Sequence, residues 1–521
     1  MESWKQTATT YEQMREAIGD ILSGLSTGES NSTAILKKPD VNERLVQCAW
    51  HEGCLKKKGL QTVSGKSIEI IQPGRWNEEA GPDFIGAEIK IDGNHVKGDV
   101  EIHVNASDWL RHKHDRNFEF NRCILHASLH IDDGQSRDTL FSGVSLERLH
   151  LEPHLDPDLD TIRSTLSETD YHYHETVGVG KCAKILEKLE PDFLNRFLDL
   201  AGDSRMEEKV HRLARQGAGE TDDQVLYQAL MTSMGYKGSK TLFFLLSKRV
   251  PIEELLEICK NRQGEERIII MQSILFHVAN LIPLEKNTGR CMDEEAITYL
   301  NTLNRWWMEY SVYFSDRILP PTKKWFSQVR PANFPTRRIA GMAWLVGRLS
   351  SKGGMVDGFL SLFREIAARD TDPQALKLFL RELDQLLTVH EDPFWSRRYN
   401  FLSTSKRSLT LIGRNRARSI LYNAVFPMMI QRARTDSDPE LEKLVKRCAA
   451  IYPSLPDNIV TKFMRKRLFG DDRTARRFIF NERRQQALFK IFYDCCNNNE
   501  VTCDDCYFFR KTRDQVRDEP R

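Results

Sequence analysis

Apolar and polar residues alternate along several short segments between residues 41 and 150, and this period-two pattern predicts β-strands. The predicted strands cover residues 67–72, 84–91, 96–104 and 123–131. Asp92, Gly93 and Asn94 separate the second strand from the third, and such residues are typical of a tight hairpin turn. A short amphipathic helix over residues 42–51 precedes the strands. This part of the chain is therefore expected to form a β-rich domain.

From about residue 190 onward the apolar residues recur with the 3.6-residue spacing of helices. The predicted helices cover residues 191–200, 207–215, 223–233, 239–246, 252–259, 266–281, 294–310, 337–349, 358–367, 373–386, 416–432 and 440–451. We find no fixed repeat period, so the pattern does not favour a solenoid. The predicted fold class is α+β, with a β-rich N-terminal domain followed by a large all-helical C-terminal domain.

Changes in composition along the chain predict its domain boundaries. Residues 1–40 are rich in Ser, Thr and Gly and are expected to form a weakly ordered extension. The β-rich, metal-dependent domain would span residues 41–150, a linker residues 151–190 and the helical domain residues 191–490. Residues 491–521 form a tail that contains cysteines.

The overall charge excludes some classes of protein. Lys and Arg number 76 and Asp and Glu 74 among 521 residues, which gives a net charge of +2. This balance argues against a uniformly basic nucleic-acid coat, although it allows a local basic patch. We find no apolar run of membrane-spanning length and no secretory signal, and most of the eleven cysteines are isolated. We therefore expect a cytoplasmic protein without a membrane partner; no feature indicates its oligomeric state.

Three titratable residues share one face of the predicted strand 96–104. Asp99, Glu101 and His103 alternate with aliphatic residues, and covering all three with protein is costly unless they face a cleft or a metal ion. Asp83 follows a proline at the start of the preceding strand, and antiparallel pairing can bring it close to Glu101. Two converging carboxylates are the usual site for Mg²⁺ or Mn²⁺. The alternative is the charged outer face of an ordinary hairpin.

The order helix, strand, Pro-Asp strand, Glu-x-His strand, helix, strand resembles the core of the PD-(D/E)XK nucleases. In this resemblance Asp83 and Glu101 match the two acidic residues that bind the metal ion. His103 occupies the position of the lysine, and a histidine does not carry a positive charge at every ordinary pH. Lys90 or Lys97 would then have to supply that charge. The β-rich domain is expected to be nuclease-like on this basis.

Five histidines within 28 residues form a second candidate site. His126 and His130 share one face of the last predicted strand, and His112 and His114 precede it. Together with His103 they indicate an imidazole cluster suited to Zn²⁺ or Fe²⁺, with His126 as a candidate ligand. The alternative is a set of hydrogen-bonded structural histidines.

Longer motifs resemble an uncharacterised bacterial family, catalogued as domain of unknown function 2851. The N-terminal motifs are Gly81-Pro82-Asp83-Phe84, Gly98 with Val100-Glu101-Ile102-His103, Ser107-Asp108-Trp109 with His112 and His114, and Ile124-Leu125-His126. The later motifs are Gly235-Tyr236-Lys237, Arg330-Pro331-Ala332-Asn333-Phe334-Pro335 with Arg338, Asn423-Ala424-Val425 with Pro427, and the terminal cysteines. The resemblance covers roughly residues 41–510 and implies no established activity.

Four cysteines lie close together near the C-terminus. Cys495 and Cys496 are followed by the pair Cys503 and Cys506. This spacing fits a zinc ion held by Cys495, Cys503 and Cys506, or an iron–sulfur cluster. The alternative is a group of surface thiols without a metal.

Residues 462–490 carry ten Lys or Arg against three acidic residues. Such a run indicates contact with the phosphates of nucleic acid, or else a solvated helix face. The leading hypothesis is a metal-dependent phosphodiesterase that acts on nucleic acid. Asp83 and Glu101 would hold the ion, and His103 would act on water or on the phosphate. The alternative is a non-catalytic module that binds nucleic acid or protein.

Overall fold

The computed structural model of this protein describes most of the chain. The described residues are 10–15, 41–77, 81–135, 137–166, 178–180, 182–217, 219–236, 239–283, 292–326, 329–350, 353–368 and 372–496. Most of the predicted N-terminal extension lies outside them, as do Cys503 and Cys506. The described helices include none that is long and apolar enough to cross a membrane.

The chain divides into two compact units. The sheet unit comprises residues 13–188, 458–470 and 491–521, and the helical unit comprises residues 1–12, 189–457 and 471–490. The predicted α+β class is confirmed, with the mixed sheet in the N-terminal part and helices in the C-terminal part.

A curled mixed sheet is the centre of the sheet unit. Its strands are β1 (Leu60–Gln61), β2 (Ser67–Gln72), β3 (Arg75–Trp76), β4 (Phe84–Ile91), β5 (Asn94–Asn105), β6 (Cys123–His130), β7 (Arg137–Thr139) and β8 (Ser145–His150). They lie in the order β1-β2-β4-β5-β6-β8-β7, with β3 paired to β4. Strands β2, β4 and β5 are antiparallel, whereas β5, β6 and β8 are parallel. Helices α1 (Glu43–His51), α2 (Asp108–Arg111) and α3 (Leu159–Thr165) complete this part of the chain.

Strand β5 has two different faces, as its alternating sequence predicts. Val100 and Ile102 are fully buried in the apolar core that α1 shares with the sheet. Asp99, Glu101 and His103 on the opposite face are also buried, at 3%, 4% and 1% exposure. The polar face is therefore covered by protein and does not line an open cleft.

Sixteen further α-helices follow along the described chain, and most of them belong to the helical unit. They are α4 (Ala183–Leu186), α5 (Pro191–Gln216), α6 (Asp222–Met234), α7 (Lys240–Arg249), α8 (Ile252–Ile258), α9 (Gly264–Val278), α10 (Glu294–Phe314), α11 (Pro335–Leu349), α12 (Met355–Ala367), α13 (Pro373–Leu386), α14 (Arg414–Ile420), α15 (Phe426–Thr435), α16 (Pro439–Ile451), α17 (Ile459–Phe469), α18 (Asp472–Phe478) and α19 (Glu482–Ile491). Among these, α4 and α17 belong to the sheet unit.

Two helical predictions need correction. The segments predicted as 191–200 and 207–215 form the single helix α5, because Gly202 does not break the helix. A side chain there would collide with the backbone of Arg483, so the glycine serves close packing. The single helix predicted over 416–432 is divided by a π-helical turn at Leu421–Val425. Pro427 follows that turn and has no N–H group for the regular hydrogen-bond ladder.

Part of the basic segment 462–490 pairs with acidic residues of α5 within the helical unit. Arg484 donates to both carboxylate oxygens of Asp199, at 2.7 and 3.1 Å, and the side chain of Arg484 is only 7% exposed. Arg483 pairs in the same way with Asp203, whose side chain is 52% exposed. These charges therefore hold α19 against α5, a role that the count of basic residues does not indicate.

Replacement of Asp199 by Ala should lower the free energy of unfolding by about 1–3 kcal/mol, because it leaves the buried guanidinium of Arg484 without its carboxylate partner. The measurement is denaturant unfolding of the full chain. The control, Asp203→Asn, weakens the more exposed pair and should change stability by less than about 1 kcal/mol. Equal losses in the two variants would contradict a structural role for Arg484.

Candidate metal centre

Asp83 and Glu101 are brought together by the pairing of β4 with β5. The backbone N–H of Asp83 donates to Glu101 Oε2 at 2.9 Å. The Asp83 carboxylate accepts hydrogen bonds from the backbone N–H of Ile102 at 2.9 Å and from Gln47 Nε2 at 2.7 Å. Asp83 is therefore tied to α1 and β5, and this arrangement fixes the position of the Glu101 carboxylate.

Three imidazoles converge on one another, and two of them also lie beside the other oxygen of Glu101. His103 Nε2 lies 3.1 Å from His112 Nδ1 and 3.3 Å from His114 Nε2. Glu101 Oε1 lies 3.5 Å from His103 Nε2 and 3.4 Å from His114 Nε2. In a tetrahedral site with bonds of about 2.0–2.1 Å, neighbouring ligand atoms lie about 3.3–3.4 Å apart. The three histidines can therefore hold a metal ion, and Glu101 lies beside two of them.

A left-handed residue allows His112 and His114 to face the same point. Helix α2 ends at Arg111, and Lys113 has φ 63° before the short 3-10 turn His114–Arg116. Residues two positions apart in a regular helix point to different sides. The left-handed backbone at Lys113 costs about 1–2 kcal/mol for a residue with a side chain. Backbone strain of this kind is concentrated at functional sites.

Aromatic residues cover the histidines. The ring of Phe120 lies 3.9 Å from that of His114, and the fully buried Trp109 lies 5.2 Å from His126. Burial, together with the neighbouring imidazoles, lowers the pKa of His103 well below its ordinary value and that of His114 to about 3. Both imidazoles are therefore neutral at physiological pH and keep a lone pair for a metal ion.

A buried chain of hydrogen bonds determines which nitrogen of His103 carries a proton. Arg148 donates to both oxygens of Asp138, at 2.7 and 2.5 Å, so both oxygens of Asp138 act as acceptors. His126 must then donate from Nδ1 to Asp138, at 2.5 Å, and its Nε2 accepts from His103 Nδ1 at 2.9 Å. The lone pair of His103 is consequently on Nε2, the atom that faces His112, His114 and Glu101.

Other predicted site residues lie elsewhere. His126 is engaged through both ring nitrogens and stands behind His103, so we assign it an orienting role and not that of a ligand. His130 is partly exposed and contacts Glu152 at 3.1 Å. Asp99 accepts from the N–H of Gly86 at 2.9 Å, where β4 is irregular.

The two lysines proposed as substitutes lie on exposed parts of the hairpin. Lys90 pairs with Glu69 at 3.0 Å, and Lys97 pairs with Glu88 at 2.7 Å. Cys495 belongs to the turn Phe492–Cys496. Its predicted co-ligands, Cys503 and Cys506, lie outside the described residues, so the zinc or iron–sulfur site stays a prediction.

Asp138 and Arg148 were not recognised from the sequence as parts of the site. Both lie outside the histidine-rich segment, and the pairing of β7 with β8 brings them to it. The His-Lys-His spacing of residues 112–114 was the available signal for His112 and His114. It indicated a cluster but could not show that both imidazoles face His103.

Together, the mixed sheet and the buried histidine cluster define an α+β protein with a site that can hold a metal ion. The chain belongs to the family described as protein of unknown function (DUF2851), whose model matches residues 43–457. No curated protein and no solved structure matches it.

Replacement of Asp138 by Asn should weaken zinc binding about 10–100-fold, because a neutral amide no longer fixes the tautomers of His126 and His103. Affinity can be measured by competition with a chromogenic chelator. The control is Asp133→Asn, which changes another carboxylate paired with Arg148 but one that does not contact His126. Equal zinc affinities for wild type and Asp138→Asn would show that this chain of hydrogen bonds does not orient the ligands.

Proposed function

We propose that this protein is a metal-dependent hydrolase whose ion is held by His103, His112, His114 and Glu101. The observation that carries the proposal is the convergence of three imidazoles whose ligand nitrogens all lie within 4.8 Å of one another, with Glu101 Oε1 3.5 Å from His103 and 3.4 Å from His114. A divalent ion satisfies the three nitrogens at once, whereas no single proton can do so, and Glu101 is the proposed fourth ligand. The strain at Lys113 and the hydrogen-bonded support of His103 are what a preorganised ligand set requires.

The ligand set favours zinc or iron(II) over magnesium. Imidazole nitrogens suit Zn²⁺ and Fe²⁺, whereas Mg²⁺ and Mn²⁺ prefer oxygen ligands. The expectation of Mg²⁺ or Mn²⁺ depended on Asp83 as a ligand, but its carboxylate is hydrogen bonded to Gln47 and Ile102. We therefore assign Asp83 a positioning role.

A phosphodiester of nucleic acid is the proposed substrate. The order of α1, β2, β4 and β5, followed by β6 parallel to β5, supports the resemblance to the nuclease core. Asp83 immediately precedes the second of these strands, and Glu101 and His103 lie on the third. An ion bound there would lower the pKa of a bound water and stabilise charge on the phosphate. His112 is only partly buried, so we propose that the substrate approaches the ion from the side of His112.

A non-catalytic role is the second candidate. The side chains of Glu101, His103 and His114 are at most 5% exposed, and four protein ligands make a closed set typical of structural zinc. In that case the ion stabilises the segment 106–122, and the protein acts as a binding module.

The first test is metal content. Protein purified in the presence of zinc or iron should contain about one ion per chain, measured by elemental analysis. His103→Ala and His114→Ala should each lose that ion, because each removes one of the convergent nitrogens. His130→Ala is the matched control, since His130 lies on the same sheet but outside the cluster. Retention of metal by His103→Ala would overturn the assignment.

The second test separates catalysis from structure. The metal-loaded protein should hydrolyse a chromogenic phosphodiester and single-stranded oligonucleotides, and a chelator should abolish both activities. Glu101→Gln should lower the rate by at least about 100-fold, because it removes the anionic ligand. A folded, metal-loaded chain without activity, whose melting temperature falls when the ion is removed, would favour the non-catalytic role.

A further inference from the structure

We propose that the helical unit contains a separate binding site for a phosphate group, formed by Tyr236, Arg338 and Arg416. Tyr236 follows α6, Arg338 lies in the first turn of α11, and Arg416 lies in α14. Two of these residues belong to motifs that stand out in the sequence, and neither motif is part of the candidate metal centre. The proposal therefore does not depend on the hydrolase function.

Two positively charged groups flank one phenol. Arg338 Nη2 lies 3.5 Å from the hydroxyl of Tyr236, and the guanidinium carbon of Arg416 lies 4.6 Å from the centre of its ring. Burial raises the pKa of Tyr236, but the charges of Arg416 and Arg338 outweigh that effect and lower it overall. The electrostatic environment of this cluster is therefore strongly positive.

Both arginines are bound only by neutral groups within the described part of the chain. Arg338 donates to the carbonyl of Leu411 at 2.7 Å and to the amide oxygen of Asn333, and Arg416 donates to the carbonyl of Ser233 at 2.8 Å. No described acidic side chain forms an ion pair with either of them. Arg338 is 6% exposed, and its Nε has no described hydrogen-bond partner. A buried charge without a counter-charge is expensive unless a ligand supplies one.

The neighbouring Arg337, in the same helix, provides a comparison because its role is structural. It is fully buried and donates to the carbonyls of five residues, namely Ala332, Trp395, Arg398, Leu409 and Thr410. Its Nε and both terminal nitrogens are thereby satisfied, and the loops around it are held together. Arg338 and Arg416 are not satisfied in this way, so a structural role alone does not account for them.

The position of Arg338 adds to the argument. A positive charge in the first turn of a helix opposes the helix dipole, whereas an anion is favoured there. The first turn of α11 has no acidic residue, and no side chain caps it. An anion bound between Arg338 and Arg416 would compensate both guanidinium groups and the helix terminus together.

A phosphate group fits these donors better than a carboxylate does. Guanidinium groups bind phosphate oxygens in pairs, and the hydroxyl of Tyr236 can donate to a further oxygen. A phosphate group presents three strongly accepting oxygens, whereas a carboxylate presents two. Tyr236, Asn333 and Arg416 are only partly buried, so the cluster is open to solvent.

The test uses the full chain as purified, with inorganic phosphate as the probe and sodium acetate at equal ionic strength as the comparison. Calorimetric titration should show phosphate binding to the wild type, weakened about tenfold in Arg416→Gln, because one charge-assisted donor pair is lost. Tyr236→Phe should also weaken binding. Arg414→Gln is the matched control, since Arg414 is exposed on the same helix. It should bind phosphate as the wild type does.

Thermal unfolding gives a second readout that a purely structural role would not produce. Without phosphate, Arg416→Gln should melt at or above the wild-type temperature, because it relieves repulsion between like charges. With phosphate, the wild type should gain stability and this variant should not. Equal phosphate affinity in wild type and Arg416→Gln would overturn the proposal, and so would acetate binding as tightly as phosphate.

Discussion

The buried ion pair between Arg148 and Asp138 is the interaction on which the candidate metal centre depends. Both side chains are completely buried, and the pair is costly to desolvate unless its remaining hydrogen bonds are made. They are made by Asp133, which accepts from both terminal nitrogens of Arg148, and by His126. Because Asp138 accepts through both oxygens, the proton positions of His126 and His103 are determined. The same pair joins β8 to β7 and thus couples the edge of the sheet to the ligand set on β5.

The two faces of β5 explain how a small sheet can support such a polar cluster. Val100 and Ile102 face α1 and contribute apolar burial worth about 1.5–3 kcal/mol each. Glu101 and His103 face the opposite side, where burial would destabilise the fold without compensating contacts. The segment 106–122 supplies both the covering aromatic residues and the two further imidazoles. Its short helix and 3-10 turns have few regular hydrogen bonds, so an ion held by His112 and His114 would stabilise it as well as the site.

Much of the fold was predictable from the sequence because burial follows periodicity. The strands 67–72 and 84–91 and the helix 373–386 have the predicted bounds, and the β5 alternation holds residue by residue. The sequence indicates the polar face of β5 as a candidate site, but sequence alone could not show that this face is covered. The contacts of His103 depend on the left-handed backbone at Lys113 and on the parallel pairing of β5 with β6. Asp138 could not be found, because its role comes from strand pairing and not from a local pattern.

The charges of this protein show why a count of basic residues does not indicate function. Residues 462–490 carry the conspicuous excess of basic residues, yet Arg483 and Arg484 pair with carboxylates of α5. Arg338 and Arg416 lie outside that basic segment, yet within the described chain they lack acidic partners. Formal charge is visible in a sequence, whereas compensation of charge depends on which side chains the fold brings together. A buried positive group that the fold leaves uncompensated is therefore better evidence for an anionic ligand than a long basic segment, part of which is already paired with carboxylates.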